Sequence, residues 1–339
     1  MNSIRLRIGL YGMRGHQLPF RLPETVRADI AAVVYDDPAR TRDTPANVRR
    51  HPDLDALLAD PTVGLVSLCS ARRSEQADHA RRCLEAGKHV LAEKPCAFDN
   101  ATLDSLLATA RRADRKLFEM ADAELAAPVQ AIRRLTDAGA LGEIVQVQAQ
   151  KSYPWHDRRP QDGNVDGGLV RQVGIHAVRF IHGATGRRIV RARGTATALG
   201  NPGSDGDLRM AASFAIELDN GGVGTIALNY LNPSTFGVWG NDQLRVFGTK
   251  GMAESVDGFR RHALFLPERG SATDLPVPND LPDPLHLRHV VDHLLDGTSM
   301  PVPHEEEMAM TRAMLALHEA AETGAAVTVR YGRISFPAA

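Results

Sequence analysis

Two rhythms of hydrophobic and polar residues divide the chain. Through about residue 120 the apolar residues come in short unbroken runs, at 5–12, 29–35, 64–69, 88–92 and 116–120. Runs of that kind are buried on both faces, as parallel strands are, and each parallel crossover needs a covering helix. Helical spacing over 74–87, stopped by Gly87, and over about 100–114 supplies such covers. The pattern predicts a doubly wound, Rossmann-like parallel sheet over residues 1–122. From residue 143 the rhythm changes to alternation, at 143–150, 209–218, 222–230 and 243–248. A period of two predicts antiparallel strands with one face free, and Asp219-Asn220-Gly221-Gly222 marks a hairpin turn. Helices near 284–296 and 304–323 follow a Pro- and Gly-rich connector, 267–284. The fold class is α/β: a Rossmann domain, then a domain over 123–339 with a large, mostly antiparallel open sheet.

Composition narrows the partners. A formal net charge of -1 gives no field that would draw a nucleic acid or an anionic membrane. No apolar run approaches the roughly 20 residues that cross a bilayer, and the N-terminus enters a strand without a signal-peptide core, so a cytoplasmic location is expected. Cys69, Cys83 and Cys96 show no Cys-x-x-Cys spacing, against a disulfide or zinc framework. His289 and His293 stand four apart on an expected helix, but no further ligand completes a set, and no metal is expected. The expected partner is a small-molecule substrate.

The most informative residues are Glu93-Lys94-Pro95, which close the run from Cys83 to Ala92. They put a lysine at the end of a short apolar strand, where doubly wound sheets hold their ligands. Pro95 has no amide hydrogen and a fixed φ, so the chain turns there. The stretch Glu85-Ala86-Gly87-Lys88-His89-Val90-Leu91-Ala92-Glu93-Lys94-Pro95 resembles the glucose-fructose oxidoreductase, inositol dehydrogenase and MocA family. Gly139-Ala140-Leu141-Gly142-Glu143-Ile144, Gly167-Gly168 followed by His176, Phe247-Gly248-Thr249-Lys250-Gly251 and Glu322-Thr323-Gly324 extend the likeness in family order. The resemblance implies an N-terminal domain for NAD or NADP and a C-terminal domain whose open sheet serves substrate binding and oligomerisation. It also implies hydride transfer on sugars, polyols or related ring compounds.

In the dinucleotide site the chain departs from the family's patterns at three places. A dinucleotide turn needs glycines where the backbone nears the pyrophosphate, whose charge rests on a helix N-terminus. Here Gly12 matches, Arg14 replaces the second glycine, and Gln17 stands at the third small position. Arg14 either contacts phosphate or crowds the turn, unless Gly15 takes over the close approach. At the end of the second strand Tyr35 occupies the usual acid's place beside Asp36. Either Tyr35 stacks on adenine while Asp36 takes the ribose, or Arg40 or Arg42 meets the 2′-phosphate of NADP. After the third strand, Ala71-Arg72-Arg73-Ser74-Glu75-Gln76 replaces the family's Thr-Pro-x-x-x-His. Its arginines either pair with phosphates or form a solvated helix start. Gly12, Arg14, Gly15, Tyr35, Asp36, Arg40, Ala71, Arg72, Gln76, Glu93 and Lys94 are the expected cofactor-binding residues.

Hydride exchange at a carbonyl needs a proton donor and acceptor, and histidine is the side chain best suited near neutral pH. The segment from Asp166 to Arg179 resembles the family's glycine-rich helix start leading to Asp-x-x-x-His, with His176 retained and Gln172 in place of the acid. Positions four apart share a helix face. Glutamine relays no proton, so His176 carries the acid/base role and Lys94 stabilises the developing negative charge. Trp155, His156 and Arg158 offer a flat apolar face and hydrogen bonds to a polar ring; the same loop also reads as plain surface with Trp155 tucked into an interface. Lys94, Gln172 and His176 complete the expected substrate contacts, the substrate lying between the domains. Two rivals remain: a cofactor-retaining glycosidase working by oxidation and elimination, and a non-catalytic binding or regulatory protein on a decayed dehydrogenase scaffold. The open sheet predicts a homodimer or homotetramer.

Overall fold

The computed structural model describes residues 4–203, 206–277 and 285–331. The chain divides into two compact units. The first comprises Met1–Ala121, Asn164–Gly167 and Pro282–His304; the second comprises Asp122–Gly163, Gly168–Leu281 and Glu305–Ala339.

In the first unit six strands form one sheet: β1 (Leu6–Tyr11), β2 (Ala28–Val34), β3 (Arg49–Arg50), β4 (Leu65–Leu68), β5 (His89–Glu93) and β6 (Leu117–Met120). Their order is β3-β2-β1-β4-β5-β6, and every neighbouring pair is parallel. The unbroken apolar runs are buried as expected; Ile8, Leu10, Val33, Leu65, Leu68 and Val90 are fully enclosed. Helix Gln76–Glu85 ends before Gly87, whose φ of 76° is one that a glycine adopts freely. Helix Asn100–Arg112 starts at Asp99, whose carboxylate accepts the Thr102 amide at 2.8 Å.

One crossover departs from the doubly wound plan. Between β1 and β2, residues 12–27 form no helix. Pro19 and Pro23 interrupt that stretch, and a proline inside a helix removes a hydrogen bond and clashes with the preceding turn. Leu18, Phe20 and Leu22 instead pack on the core around Ile8, Leu10 and Ile30. Leu287, Val290 and Val291 of helix Leu285–Asp296 join the same core. Burial of each contributes about 1.5–3 kcal/mol. Arg27 ties this helix down through Asp292 at 2.8 Å and a second ion pair with Asp296. Residues 278–284 of the expected connector lie outside the described residues.

The second unit is built on nine strands: β7 (Ile144–Ser152), β8 (Ile189–Thr197), β9 (Ala211–Leu218), β10 (Val223–Asn229), β11 (Gln243–Gly248), β12 (Met252–Val256), β13 (Arg261–Phe265), β14 (Thr273–Asp274) and β15 (Val327–Thr328). The order is β14-β13-β12-β11-β7-β10-β9-β8-β15. All pairs are antiparallel except β7 with β10, which run parallel because the connection between them passes through β8 and β9. The predicted turn at Asp219–Gly222 joins β9 to β10, with Gly221 at φ 85°. Alternation holds strictly on β9: Ala212, Phe214, Ile216 and Leu218 are buried, and Ser213, Ala215 and Glu217 face out. Helix Gly168–Thr185 is buried along most of its length. On the outward face Val145 and Val223 are each 49% exposed. Among the described residues no helix is long and apolar enough to cross a membrane.

Candidate active site

In the first unit, the turn after β1 is shaped by its neighbours. Gly12 has φ 71°, and a Cβ there would sit 2.2 Å from the Cys69 carbonyl oxygen. Gly15 has φ 97°, and a Cβ there would lie 2.7 Å from a Glu93 carboxylate oxygen. Both positions therefore require glycine, the second because a carboxylate stands against it. Gln17, expected at a small-residue position, is buried and works as a clamp. Its amide donates to the carbonyls of Tyr11 (3.3 Å), Gly12 (2.9 Å) and Ser67 (3.1 Å), while Oε1 accepts from the Leu18 amide and the Ser67 hydroxyl. The ends of β1 and β4 are held together by one side chain.

The helix N-terminus on which the sequence reading rested the pyrophosphate is absent behind this turn. Alternate amides of the turn are also spent. Gly12 N–H bonds Val34 O at 3.0 Å, Arg14 N–H bonds Cys69 O at 3.0 Å, and His16 N–H bonds the Glu93 carboxylate at 2.6 Å. Arg14 itself is half-buried, and its guanidinium makes no hydrogen bond or ion pair with the described residues. Burial, and then the charge of Arg40, holds it below the usual arginine range.

Glu93 and Lys94 sit at the carboxyl edge of the sheet, each 2% exposed. Burial would raise the Glu93 carboxyl, but hydrogen bonds from His16 and the positive charges of Lys94 and Arg73 outweigh it and hold the group at about 2. The Lys94–Pro95 peptide is cis. Gln76, fully buried, donates to the carbonyl oxygens of Glu93 and, at 3.3 Å, Pro95. Arg73 donates to the Gln76 Oε1 and, at 3.1 Å, to the Arg14 carbonyl. The turn carrying Lys94 and the glycine turn are thus braced against the same pair of side chains.

At the end of β2 the tyrosine and the acid face different ways. Tyr35 Oη donates to Arg42 O at 2.8 Å and lies 2.9 Å from Thr44 Oγ1, with the Arg50 guanidinium 5.4 Å from its ring centre. Asp36 turns inward: one oxygen accepts the Ala71 amide at 2.6 Å, and the other is buried without a partner. Burial, only partly offset by the Ala71 bond, raises its carboxyl above the ordinary value. Arg40 is exposed and pairs with Asp37 at 3.4 Å. Arg72, also exposed, lies 3.9 Å from Glu75.

In the second unit, helix Gly168–Thr185 presents His176 and Gln172 one turn apart. Gln172 Oε1 accepts from Tyr230 Oη at 2.8 Å and from Arg159 at 3.3 Å. Arg159 lies flat over the Tyr230 ring, 3.7 Å from its centre, and donates to Pro154 O at 3.1 Å. His176 meets Tyr153 edge-on at 6.2 Å. Trp239, 58% exposed, stands 5.9 Å from Tyr153 and 6.0 Å from His156. Trp155 is half-buried and Arg158 exposed. Lys151 pairs with the mostly buried Asp242 at 2.6 Å and lies 5.1 Å from the Tyr153 ring centre. The sequence reading missed Tyr230, Arg159, Trp239 and the Lys151–Asp242 pair. Trp239 is one of only two tryptophans, which was the available signal. The helix is anchored from within by Arg179, fully buried and 2.6 Å from the buried Glu124 carboxylate.

A parallel sheet with a glycine turn after its first strand, followed by a large, mostly antiparallel open sheet, defines a two-unit α/β protein with a Rossmann-like first unit. Residues 7–120 match the oxidoreductase family with NAD-binding Rossmann fold, and residues 129–254 match the GFO/IDH/MocA C-terminal domain. The chain belongs to the GFO/IDH/MocA oxidoreductase family, and residues 7–120 are that family's NAD-binding Rossmann domain. It is 31% identical over 135 residues to the uncharacterized oxidoreductase YhhX of Escherichia coli, covering 40% of this chain and 39% of that one. It is 27% identical over 226 residues to a 1-carboxy-3-chloro-3,4-dihydroxycyclohexa-1,5-diene dehydrogenase of Comamonas testosteroni, covering 64% and 56%. The chain thus spans between about two fifths and just over half the length of these curated relatives. Two solved structures share the fold. One is an aldose-aldose oxidoreductase from Caulobacter crescentus complexed with glycerol, with TM-score 0.78, 21% identity, and 96% and 99% of the two chains covered. The other is the WlbA dehydrogenase from Bordetella pertussis in complex with NADH and UDP-GlcNAcA, with TM-score 0.77, 16% identity, and 97% and 99% covered.

Proposed function

We propose that the protein transfers a hydride between NAD or NADP and a hydroxyl or carbonyl carbon of a sugar, polyol or related cyclic compound. The observation that carries this reading is the braced turn at the carboxyl edge of the parallel sheet, where Lys94 follows a buried, ionised Glu93. The cofactor-facing residues fit such a group: Gly12 and Gly15 keep the turn bare of side chains, and Arg14 offers a cation with no acceptor among the described residues. When bound, the nicotinamide supplies hydride acceptance and donation.

Lys94 donates a hydrogen bond to the reacting oxygen and stabilises negative charge as it develops. His176 takes the hydroxyl proton during oxidation and returns it during reduction. Gln172, its oxygen engaged by Tyr230 and Arg159, orients the substrate rather than exchanging a proton. Tyr153, His156, Trp155, Arg158 and Trp239 supply aromatic faces and donors suited to a polar ring. The outward face of β7 and β10, with Val145 and Val223, supports assembly into a homodimer or homotetramer.

The test is a screen of sugars, polyols and cyclitols with each dinucleotide, with binding read separately from cofactor fluorescence. Lys94→Ala is expected to lower kcat/KM by about a thousandfold while dinucleotide affinity changes little. Full turnover in that variant would refute the assignment. Wild-type protein that binds neither dinucleotide would refute the whole reading.

A further inference from the structure

We infer that Arg14 does the work that a helix N-terminus does in other dinucleotide-binding turns, its guanidinium receiving the cofactor's pyrophosphate. The inference rests on the nicotinamide-dinucleotide reading above and deepens it. A helix N-terminus attracts phosphate because several N–H groups point outward from it and the helix dipole adds partial positive charge. The dipole is missing here, and every second amide of the turn is already engaged. Residues 12–27 contain no helix, and the amides of Gly12, Arg14, His16 and Leu18 are consumed by Val34 O, Cys69 O, Glu93 and the Gln17 side chain. A pyrophosphate at this turn therefore lacks the dipole and about half of the amides, and a side-chain cation makes up the difference.

Arg14 meets that need. Its backbone is fixed on both sides, the amide by Cys69 O at 3.0 Å and the carbonyl by Arg73 at 3.1 Å, so the side chain leaves from a defined point. Its Nε is buried without an acceptor, and among the described residues no carboxylate reaches ion-pair distance of the guanidinium. Half-burying a cation with no acceptor is unfavourable by itself. A bound dianion reverses that balance through charge-assisted, two-pronged hydrogen bonds. Glu93, the buried carboxylate of this turn, is directed at His16, and Arg14 feels only the longer-range charges of Asp166 and Asp37. The arginine that breaks the glycine pattern and the missing helix are on this account one adaptation.

Calorimetric titration of the full chain with NADH, ADP-ribose and adenosine separates the pyrophosphate from the rest of the ligand. For Arg14→Gln the dissociation constants of NADH and ADP-ribose are expected to rise about tenfold to a hundredfold, with adenosine changed less than about twofold and Arg14→Lys intermediate. The salt dependence of NADH binding should weaken in the glutamine variant. If Arg14→Gln binds NADH and ADP-ribose as the wild type does, or loses adenosine equally, the inference falls while the oxidoreductase reading stands. Wild-type protein that binds none of the dinucleotides overturns both.

Discussion

Replacing Glu93 by glutamine tests whether a buried carboxylate, rather than the glycines alone, sets the geometry of the sheet's carboxyl edge. The side chain is 2% exposed, accepts the His16 amide at 2.6 Å, and stands 2.7 Å from where a Cβ on Gly15 would be. Its carboxyl is held at about 2, against an ordinary 4.5. At about 1.4 kcal/mol for each tenfold change in proton affinity, the ionised form gains about 3 kcal/mol from folding. His16 is largely exposed, so screening reduces its share, and the glutamine keeps one acceptor for the His16 amide. The expected loss for Glu93→Gln at pH 7 is about 2–3 kcal/mol in urea denaturation. The sign of the pH dependence follows from a depressed acid. The stabilisation is fully present above about pH 4.5 and is lost as pH falls from there towards 2. The glutamine variant has no proton to gain in that window, so its stability should fall less steeply than the wild type's. Equal stability at pH 7, or parallel acid limbs for the two proteins, would refute the reasoning.

Two further outcomes follow from groups withdrawn from solvent. Arg179→Met should lower stability by about 3–5 kcal/mol, because it leaves Glu124 buried with no cation, whereas Arg179→Met with Glu124→Leu should recover most of that loss in chemical denaturation; a double variant as weak as the single one would argue against the ion pair as the cause. Asp36 has Oδ1 buried and Oδ2 engaged by the Ala71 amide, and Tyr35 is engaged by Arg42 and Thr44, so NADPH should bind at least as tightly as NADH, and Tyr35→Asp should shift preference towards NADH by about tenfold; fluorescence titration giving markedly tighter NADH binding in the wild type would contradict this.

Much of the fold was legible because the burial of a strand writes itself into local composition. The runs at 29–35, 64–69 and 88–92 became β2, β4 and β5, and the alternation at 209–218 and 222–230 became β9 and β10 around the predicted turn. Other elements lacked that signature. Ile189–Thr197 is interrupted by Arg191, Arg193 and Gly194, and Met252–Val256 is too short to establish a period. The helix Leu285–Asp296 was legible as a helix, but periodicity carries no address. That its apolar stripe packs with Ile8 and Leu10 is set by tertiary contact alone. The candidate site divides in the same way. Lys94, His176 and the departures at Arg14 and Gln17 could be named from spacing. The clamp formed by Gln17 depends on Ser67, fifty positions away, and the Tyr230–Gln172–Arg159 network joins three separate segments.

The crossover without a helix links these observations. In a doubly wound sheet the helix after the first strand does two jobs: it covers one face of the sheet and it offers an anion its N-terminal amides. Here the jobs are separated. Leu18, Phe20 and Leu22 with the distant helix Leu285–Asp296 provide the cover, held by Arg27 on Asp292 and Asp296. The turn's amides are then free to bond Val34, Cys69 and Glu93, which brings the end of β5 against the glycine turn and fixes Lys94 beside it. A turn with alternate amides facing inward gains rigidity at the carboxyl edge of the sheet and loses part of its intrinsic attraction for phosphate. That loss calls for a cation at the turn, and Arg14 stands in the very position where the glycine pattern is broken.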